Sequence, residues 1–170
     1  MGRFEPERIL EVLAEHGVQF VVVGGLAAAL HGVPHVTFDI DITPATDRDN
    51  LDRLSAALTD LGARIRTSAE PAGLVFEHDG TSLASGQIWN LVTAHGDLDL
   101  TMMPSGTAGY PELVADAVET NLGAVRVAVA SLEAVIRSKR AADRPKDRAV
   151  LPLMEQTLKE VRRRSRPTNG

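Results

Sequence analysis

The 170-residue sequence predicts an α/β (α+β) fold, a mixed sheet flanked by helices with a C-terminal helical segment. Three observations carry that expectation. A continuous apolar run, "VQFVVV", reads as a strand covered on both faces, because a strand with one wet face would alternate. "TFDIDI" does alternate, so it reads as a strand with one buried and one polar face. Helical stripes precede, separate and follow these strands, and the chain ends in long basic helix-like stretches.

In order along the chain, Pro6 is placed for a first helical turn, Ile9, Leu10, Val12 and Leu13 form an apolar stripe, and Gly17 is a stop. The valine strand then runs into Gly24-Gly25, and "LAAALHG" is a short helix ending at Gly32. "HVTFDIDI" is the next strand, with Phe38, Ile40 and Ile42 sharing its core face. Thr46 is expected to cap a helix over Asp47 to Leu61, stopped by Gly62. "ARIRT" reads as a strand, and "LVFEHDGTSL" as a hairpin turning at Asp79-Gly80. "QIWNLVTAHGDLDLTMM" predicts two strands around His95-Gly96, "SGTAGYPELVADAVET" a loop and a helix, and "AVRVAVA" a strand. Ser131 caps "LEAVIRSKRAA", and a last helix is expected from about Lys146 to Arg164. One domain over residues 1–170 is expected, with its core in about 1–130 and the helical end in about 131–165.

Composition excludes several classes. The absence of cysteine removes disulfides, thiolate metal sites and cysteine nucleophiles, and fits a reducing cytoplasm. No apolar run approaches the ~20 residues of a membrane span, so no membrane partner is expected. A net charge of -5 argues against binding nucleic acid through a general positive field, although Arg137 to Arg166 is net positive.

Asp39 and Asp41 are the conspicuous feature. Strand alternation puts both on one face, roughly 6–7 Å apart along the chain, where two carboxylates repel unless a cation joins them or that face is the solvent side of an edge strand. Hard oxygen donors at that spacing suit Mg²⁺ with phosphate and water. "GDLDLTMM" repeats the pattern with Asp97 and Asp99; Asp99, set inside the apolar run, is the better third carboxylate. Gly24 and Gly25, between a strand and a helix, let backbone N–H groups approach phosphate oxygens without a Cβ in the way. His31, Trp89 and Tyr110 read as packing residues.

"VVVGGLAAALHGVPHVTFDIDI", "GDLDLTMMPSG" and "IRSKRAADRPKD", three blocks in order across about Phe20 to Leu153, resemble the DNA polymerase β-type nucleotidyltransferase superfamily. Within it, the strongest likeness is to bacterial nucleotidyltransferase toxins of the AbiEii/MenT type. The resemblance implies a nucleotidyltransferase fold and transfer of a nucleoside monophosphate from an NTP, with two Mg²⁺ ions on Asp39, Asp41 and Asp99. It implies that Gly24, Gly25, His35, Thr37, Lys139 and Lys146 bind the nucleotide. Lys139 contacts phosphate, and Asp147 orients a lysine or serves the acceptor. His35 stands where many relatives carry Arg, replacing a permanent charge with a group that is neutral much of the time at pH 7.

As to the acceptor, the toxin resemblance implies RNA, above all the 3′ end of tRNA, reached through the basic C-terminal helices, and a cognate antitoxin as partner. A second reading keeps the metal site but moves transfer to a protein hydroxyl or to a small molecule such as an aminoglycoside. A third makes the chain a non-catalytic nucleotidyltransferase-like binding module.

Overall fold

The computed structural model describes residues 3–167. Pro6 opens α1 (Pro6–Glu15), whose buried residues are the stripe Ile9, Leu10, Val12 and Leu13, and Gly17 follows with φ +69°. All of β1 (Phe20–Val23) is buried, and it leads directly into α2 (Gly24–Leu30). Next come β2 (Asp39–Pro44), α3 (Arg48–Asp60), the two-residue β3 (Arg64–Ile65) and α4 (Gly80–Ser85). The strands β4 (Ile88–Thr93) and β5 (Gly96–Thr101) form a hairpin, as do β6 (Val118–Leu122) and β7 (Val125–Val129), with α5 (Tyr110–Ala115) between the pairs. Two helices, α6 (Leu132–Ala142) and α7 (Pro145–Arg164), finish the chain and pack on each other.

The seven strands make one mixed sheet in the order β3-β4-β5-β2-β1-β7-β6. β2 runs parallel to β5 and antiparallel to β1, while β1 runs parallel to β7. Ile40 pairs with Leu98 and Ile42 with Leu100, and all four are fully buried. A one-residue slip of either strand would carry the aspartates into that core, so the apolar pairs lock the register of the polar face.

Five expectations are corrected. Phe38 is 75% exposed, because residues before Asp39 run past the ends of both neighbours: β1 pairs only with residues 41–44, and β5 starts at Gly96 opposite the strand's entry. Asp47, not Thr46, caps α3, its carboxylate accepting the Asn50 N–H at 3.0 Å. Asp79-Gly80 is no hairpin turn: Asp79 caps α4, accepting the Ser82 N–H at 2.8 Å while its own N–H donates to Ser82 Oγ. Leu74 bridges to Ile65 instead of opening a strand of its own, and β3 itself is shorter than "ARIRT" suggests. Finally, the helix in "PELVADAVET" stops at Ala115 and Val118 begins β6, which the Gly123-Ala124 turn folds back on β7; cross-strand pairing outweighs the local helical pattern.

Candidate active site

β2 and β5 set three carboxylates side by side. Asp41 is opposite Asp99 in the parallel register, and carboxylate oxygens of Asp39, Asp41 and Asp99 lie within 4.8 Å of one another. Thr37 Oγ1 donates to Asp39 Oδ1 at 2.7 Å, which fixes that carboxylate's orientation. Burial, then the charges of Asp39 and Asp99, push the Asp41 carboxyl up to about 7. Asp99 is also raised, by burial first, against the opposing Arg66 charge. Such crowding of half-buried acids is costly in isolation and is relieved by a divalent cation. Three hard oxygen donors this close fit Mg²⁺, with room for water and phosphate as further ligands.

Gly24 backs directly onto this cluster. It holds φ +64°, and a Cβ there would stand 2.4 Å from Asp41 Oδ2. Gly25 faces Thr37 and His35 in the same way, a Cβ falling 3.2 Å from Thr37 Oγ1 and 3.4 Å from His35 Nε2. Gly24 is thus required by the close approach of α2 to the carboxylate strand, while at Gly25 the approach is tight but a small shift would relieve it.

Across the cleft, α6 and α7 supply cations. Lys139 Nζ lies 3.2 Å from Asp147 Oδ1, and Arg144 Nε lies 2.7 Å from Asp147 Oδ2. Asp147 is fully buried and also accepts the Arg144 backbone N–H at 3.2 Å. Burial pushes its carboxyl up, but the Arg144 and Lys139 hydrogen bonds and charges outweigh this and leave it below its ordinary value. Asp147 therefore sits behind the cleft as an anchor for two cations. Lys139 and Lys146 both act on the Asp41 carboxyl, favouring its charged form.

One cleft of about 690 Å³ gathers Gly24, Gly25, His35, Thr37, Asp39, Asp41, Asp99, Lys139 and Lys146; among the predicted residues only Asp147 stays out of its lining. Two lining cations, Arg144 and Arg66, were given no role from sequence. Arg144 was legible in outline, three residues before a helix-opening acid. Arg66 was not: Nη2 meets Asp99 Oδ1 at 2.8 Å and Nε lies 3.3 Å from Asp97 Oδ2, contacts that depend on strand pairing across the sheet. His31 Nε2 is bound to the Ala130 carbonyl at 2.7 Å, and Trp89 Nε1 donates to the Leu83 carbonyl at 3.2 Å while its ring stacks on Phe76. Tyr110 packs, partly buried, against the core.

Adjacent strands bearing a carboxylate triad, backed by a glycine turn and faced by lysines, are the arrangement of a nucleotidyltransferase. The fold agrees. It is similar to the lincosamide adenylyltransferase LnuA solved with lincomycin bound, with TM-score 0.60, 16% identity, and coverage of 92% of this chain and 99% of that one. It is similar also to the antibiotic-resistance factor ANT(2'')-Ia, in a solution structure (TM-score 0.57, 19% identity, 89% and 81% covered) and in a crystal complex with adenylyl-2''-tobramycin (TM-score 0.56, 19% identity, 89% and 86% covered). The aminoglycoside-2''-adenylyltransferase family matches residues 7–149, and the chain belongs to that family. Comparison with curated protein sequences gives no match. The protein is accordingly a nucleotidyltransferase enzyme; the superfamily read from the sequence holds, while the finer likeness to AbiEii/MenT-type toxins gains no support from these relatives. Among the described residues, no helix is long and apolar enough to cross a membrane.

Proposed function

We propose that the enzyme transfers the nucleoside monophosphate of an NTP to a hydroxyl of a small molecule, as its antibiotic-modifying relatives do, rather than to RNA. The observation that carries this reading is the cleft itself: the triad, the glycine turn and the α6–α7 cations face one another within residues 7–149 of this chain, the span the family matches. An acceptor hydroxyl oxygen bonds to the α-phosphorus, the bond from that phosphorus to the bridging oxygen breaks, and pyrophosphate leaves with the electron pair. Asp99, the triad member on β5, takes the hydroxyl proton.

Asp39, Asp41 and Asp99 would hold Mg²⁺, which when bound supplies charge neutralisation and polarises the transferring phosphoryl group. The chain's own groups do the rest. Gly24 and Gly25 leave space for phosphate oxygens; Thr37 holds Asp39 in place; His35 borders the same space. Lys139 and Lys146 offset the triphosphate charge, and Asp147 keeps Lys139 and Arg144 aimed from behind. Because a lysine is a mobile point charge, that buried anchor supplies the orientation a lone lysine would lack.

The test uses each α-³²P NTP with Mg²⁺ and, in parallel, hydroxylated antibiotics, total RNA and cellular protein. Label on a small molecule, reduced by at least about 100-fold in Asp41→Asn, is the expected outcome. Label confined to RNA would restore the toxin reading and reject this one, and label confined to protein would reject both.

A further inference from the structure

The row of side chains that carries the site continues past the triad. Asp41 pairs with Asp99 on β5, and Asp99 pairs with Asn90 on β4. Arg66 follows β3 and extends its ladder, its backbone N–H donating to the Asn90 carbonyl at 2.9 Å. Partners across a sheet share a face, so Asp41, Asp99, Asn90 and Arg66 form one row over neighbouring strands. The next row fixes this placement. Ile65, Leu91, Leu98 and Ile40 pair in the same way on the opposite face; the last three are fully buried, and Ile65 packs against the core. A one-residue slip of β3 would expel Ile65 and bury the guanidinium, so the apolar row positions the arginine as it positions the aspartates.

To touch β5, the Arg66 side chain reaches over β4, two strand spacings of roughly 4.8 Å each. Its Nη2 donates to Asp99 Oδ1 at 2.8 Å. Its Nε is buried without a hydrogen-bond acceptor and lies 3.3 Å from Asp97 Oδ2, so Asp97 holds the guanidinium by charge. With one nitrogen bonded to Asp99 and another against Asp97, the positive charge is neutralised inside the cluster. Arg66 is therefore no free cation for a phosphate or an acceptor.

The consequence concerns Asp99. A carboxylate that takes a proton from a hydroxyl must keep an oxygen aimed at it, and an untethered aspartate turns about two bonds. The Arg66 hydrogen bond to Oδ1 removes that freedom and leaves Oδ2 clear of the guanidinium. Thr37 does the same for Asp39 from the other end of the site, donating to its Oδ1 at 2.7 Å.

We infer that Arg66 is a positioning residue for the transfer step: it acts through Asp99, holding that carboxylate in the orientation that takes the acceptor's proton, while Asp97 anchors the arginine. This rests on the nucleotidyltransferase reading above and on the role given there to Asp99. Removing Arg66 slows the chemical step and spares nucleotide binding, which was assigned to the glycine turn and the α6–α7 lysines, beyond Asp41 from Arg66.

The experiment follows pyrophosphate release from an NTP with Mg²⁺ and the acceptor that the wild type labels best, or water if it labels none, in Arg66→Ala, Arg66→Lys and Asp97→Asn. Binding is read separately, as the rise in melting temperature with Mg²⁺ alone and with Mg²⁺ plus a non-hydrolysable NTP analogue. Expected in Arg66→Ala is a kcat about 10- to 100-fold lower, with KM for the NTP within about 3-fold and both melting responses retained. Asp97→Asn should show the same pattern with a smaller loss, and Arg66→Lys, which keeps the charge but not the fork that spans two carboxylates, should fall between. The Arg66 side chain is 31% exposed on the cleft wall, so added methylguanidinium can enter the space left in Arg66→Ala. It should raise that variant's kcat by at least about 5-fold, as no purely structural defect would allow. A kcat in Arg66→Ala within about 3-fold of the wild type overturns the proposal. So does a KM for the NTP that rises in step with the loss, or a loss that neither lysine nor methylguanidinium relieves. If Arg66→Ala does not fold, the split between kcat and KM is required of the other two variants, and its absence in both overturns the proposal. A wild type that binds the nucleotide but releases no pyrophosphate overturns it too, since Asp99 then takes no proton. Absence of the nucleotide response in the wild type is the different failure, that of the nucleotidyltransferase reading.

Discussion

At Gly24 the missing side chain matters for where Asp41 stands. Its φ of +64° disfavours any L side chain by about 1–2 kcal/mol, and an added Cβ would meet Asp41 Oδ2 at 2.4 Å. The obstructing atom is the end of a side chain that can rotate, so Gly24→Ala folds by displacing the carboxylate. Melting temperature should drop by only a few degrees, while the Mg²⁺-induced rise in melting temperature should largely vanish. Gly25→Ala is the control: its Cβ would sit 3.2 Å from Thr37 Oγ1, a contact relieved by a few tenths of an ångström, and its Mg²⁺ response should survive. A full Mg²⁺ response in Gly24→Ala would show that the glycine serves the turn alone. The reason for this glycine was half legible in the sequence. Placement between strand and helix signalled a close approach, but the group approached was read as phosphate alone, and Asp41 emerges only once β1 and β2 are paired.

At the scale of elements, the active strands are held by a residue the sequence did not single out. Asn50, fully buried on α3, donates from Nδ2 to the Gln19 carbonyl at 2.9 Å and the Ala45 carbonyl at 2.7 Å, and its Oδ1 accepts the Gln19 N–H at 2.7 Å. One amide thereby joins the entry of β1 to the exit of β2, the strand that leads into Gly24 and the strand that carries Asp41. Asn50→Ala removes the partner of the Gln19 N–H and of the buried Ala45 carbonyl, whereas the Gln19 carbonyl keeps the Ala45 N–H at 3.0 Å; a buried group left unpaired costs about 1–3 kcal/mol. A loss of roughly 2–3 kcal/mol in urea unfolding is expected, and a change below about 1 kcal/mol would mean that water or a shifted loop replaces the amide. An Asn at the third position of a helix looks like an exposed polar position, so nothing local betrays this role. Arg66 was hidden for the same reason. Asp39 and Asp41 could be read because their relation is two residues of one strand, while Arg66 reaches Asp99 across three strands whose order no periodicity discloses. The short elements went astray likewise: β6 and α4 are decided by a hairpin partner and by the Asp79–Ser82 cap, and both compete with stronger-looking local patterns.

The whole molecule carries the cost of its site as a pH dependence. Asp41 titrates at about 7 in the fold against 3.8 when exposed, so the folded state binds the extra proton between those values. Stability from this group is therefore greatest below pH 4 and declines as pH rises through 7, on the order of 4 kcal/mol across the window. Asp99 shifts in the same direction. Lowered groups work the other way. Asp147, lowered, contributes stability that disappears only as pH falls below its ordinary range, outside the window. His78, lowered mainly by burial, favours folding as pH rises toward 6.5 and partly opposes the decline. The difference between the wild type and Asp41→Asn cancels His78 and isolates the triad. Without divalent ions, the melting temperature of the wild type relative to that variant should fall by roughly 10 °C between pH 4.5 and pH 8, at about 2–4 °C per kcal/mol for a chain of this size. Mg²⁺ requires the ionised carboxylates, so its stabilising effect should grow over the same interval and close most of the gap at pH 8. Parallel melting profiles for the two proteins would show that the carboxylates are relieved by solvent rather than by a cation, and the triad would then lose its standing as a metal site.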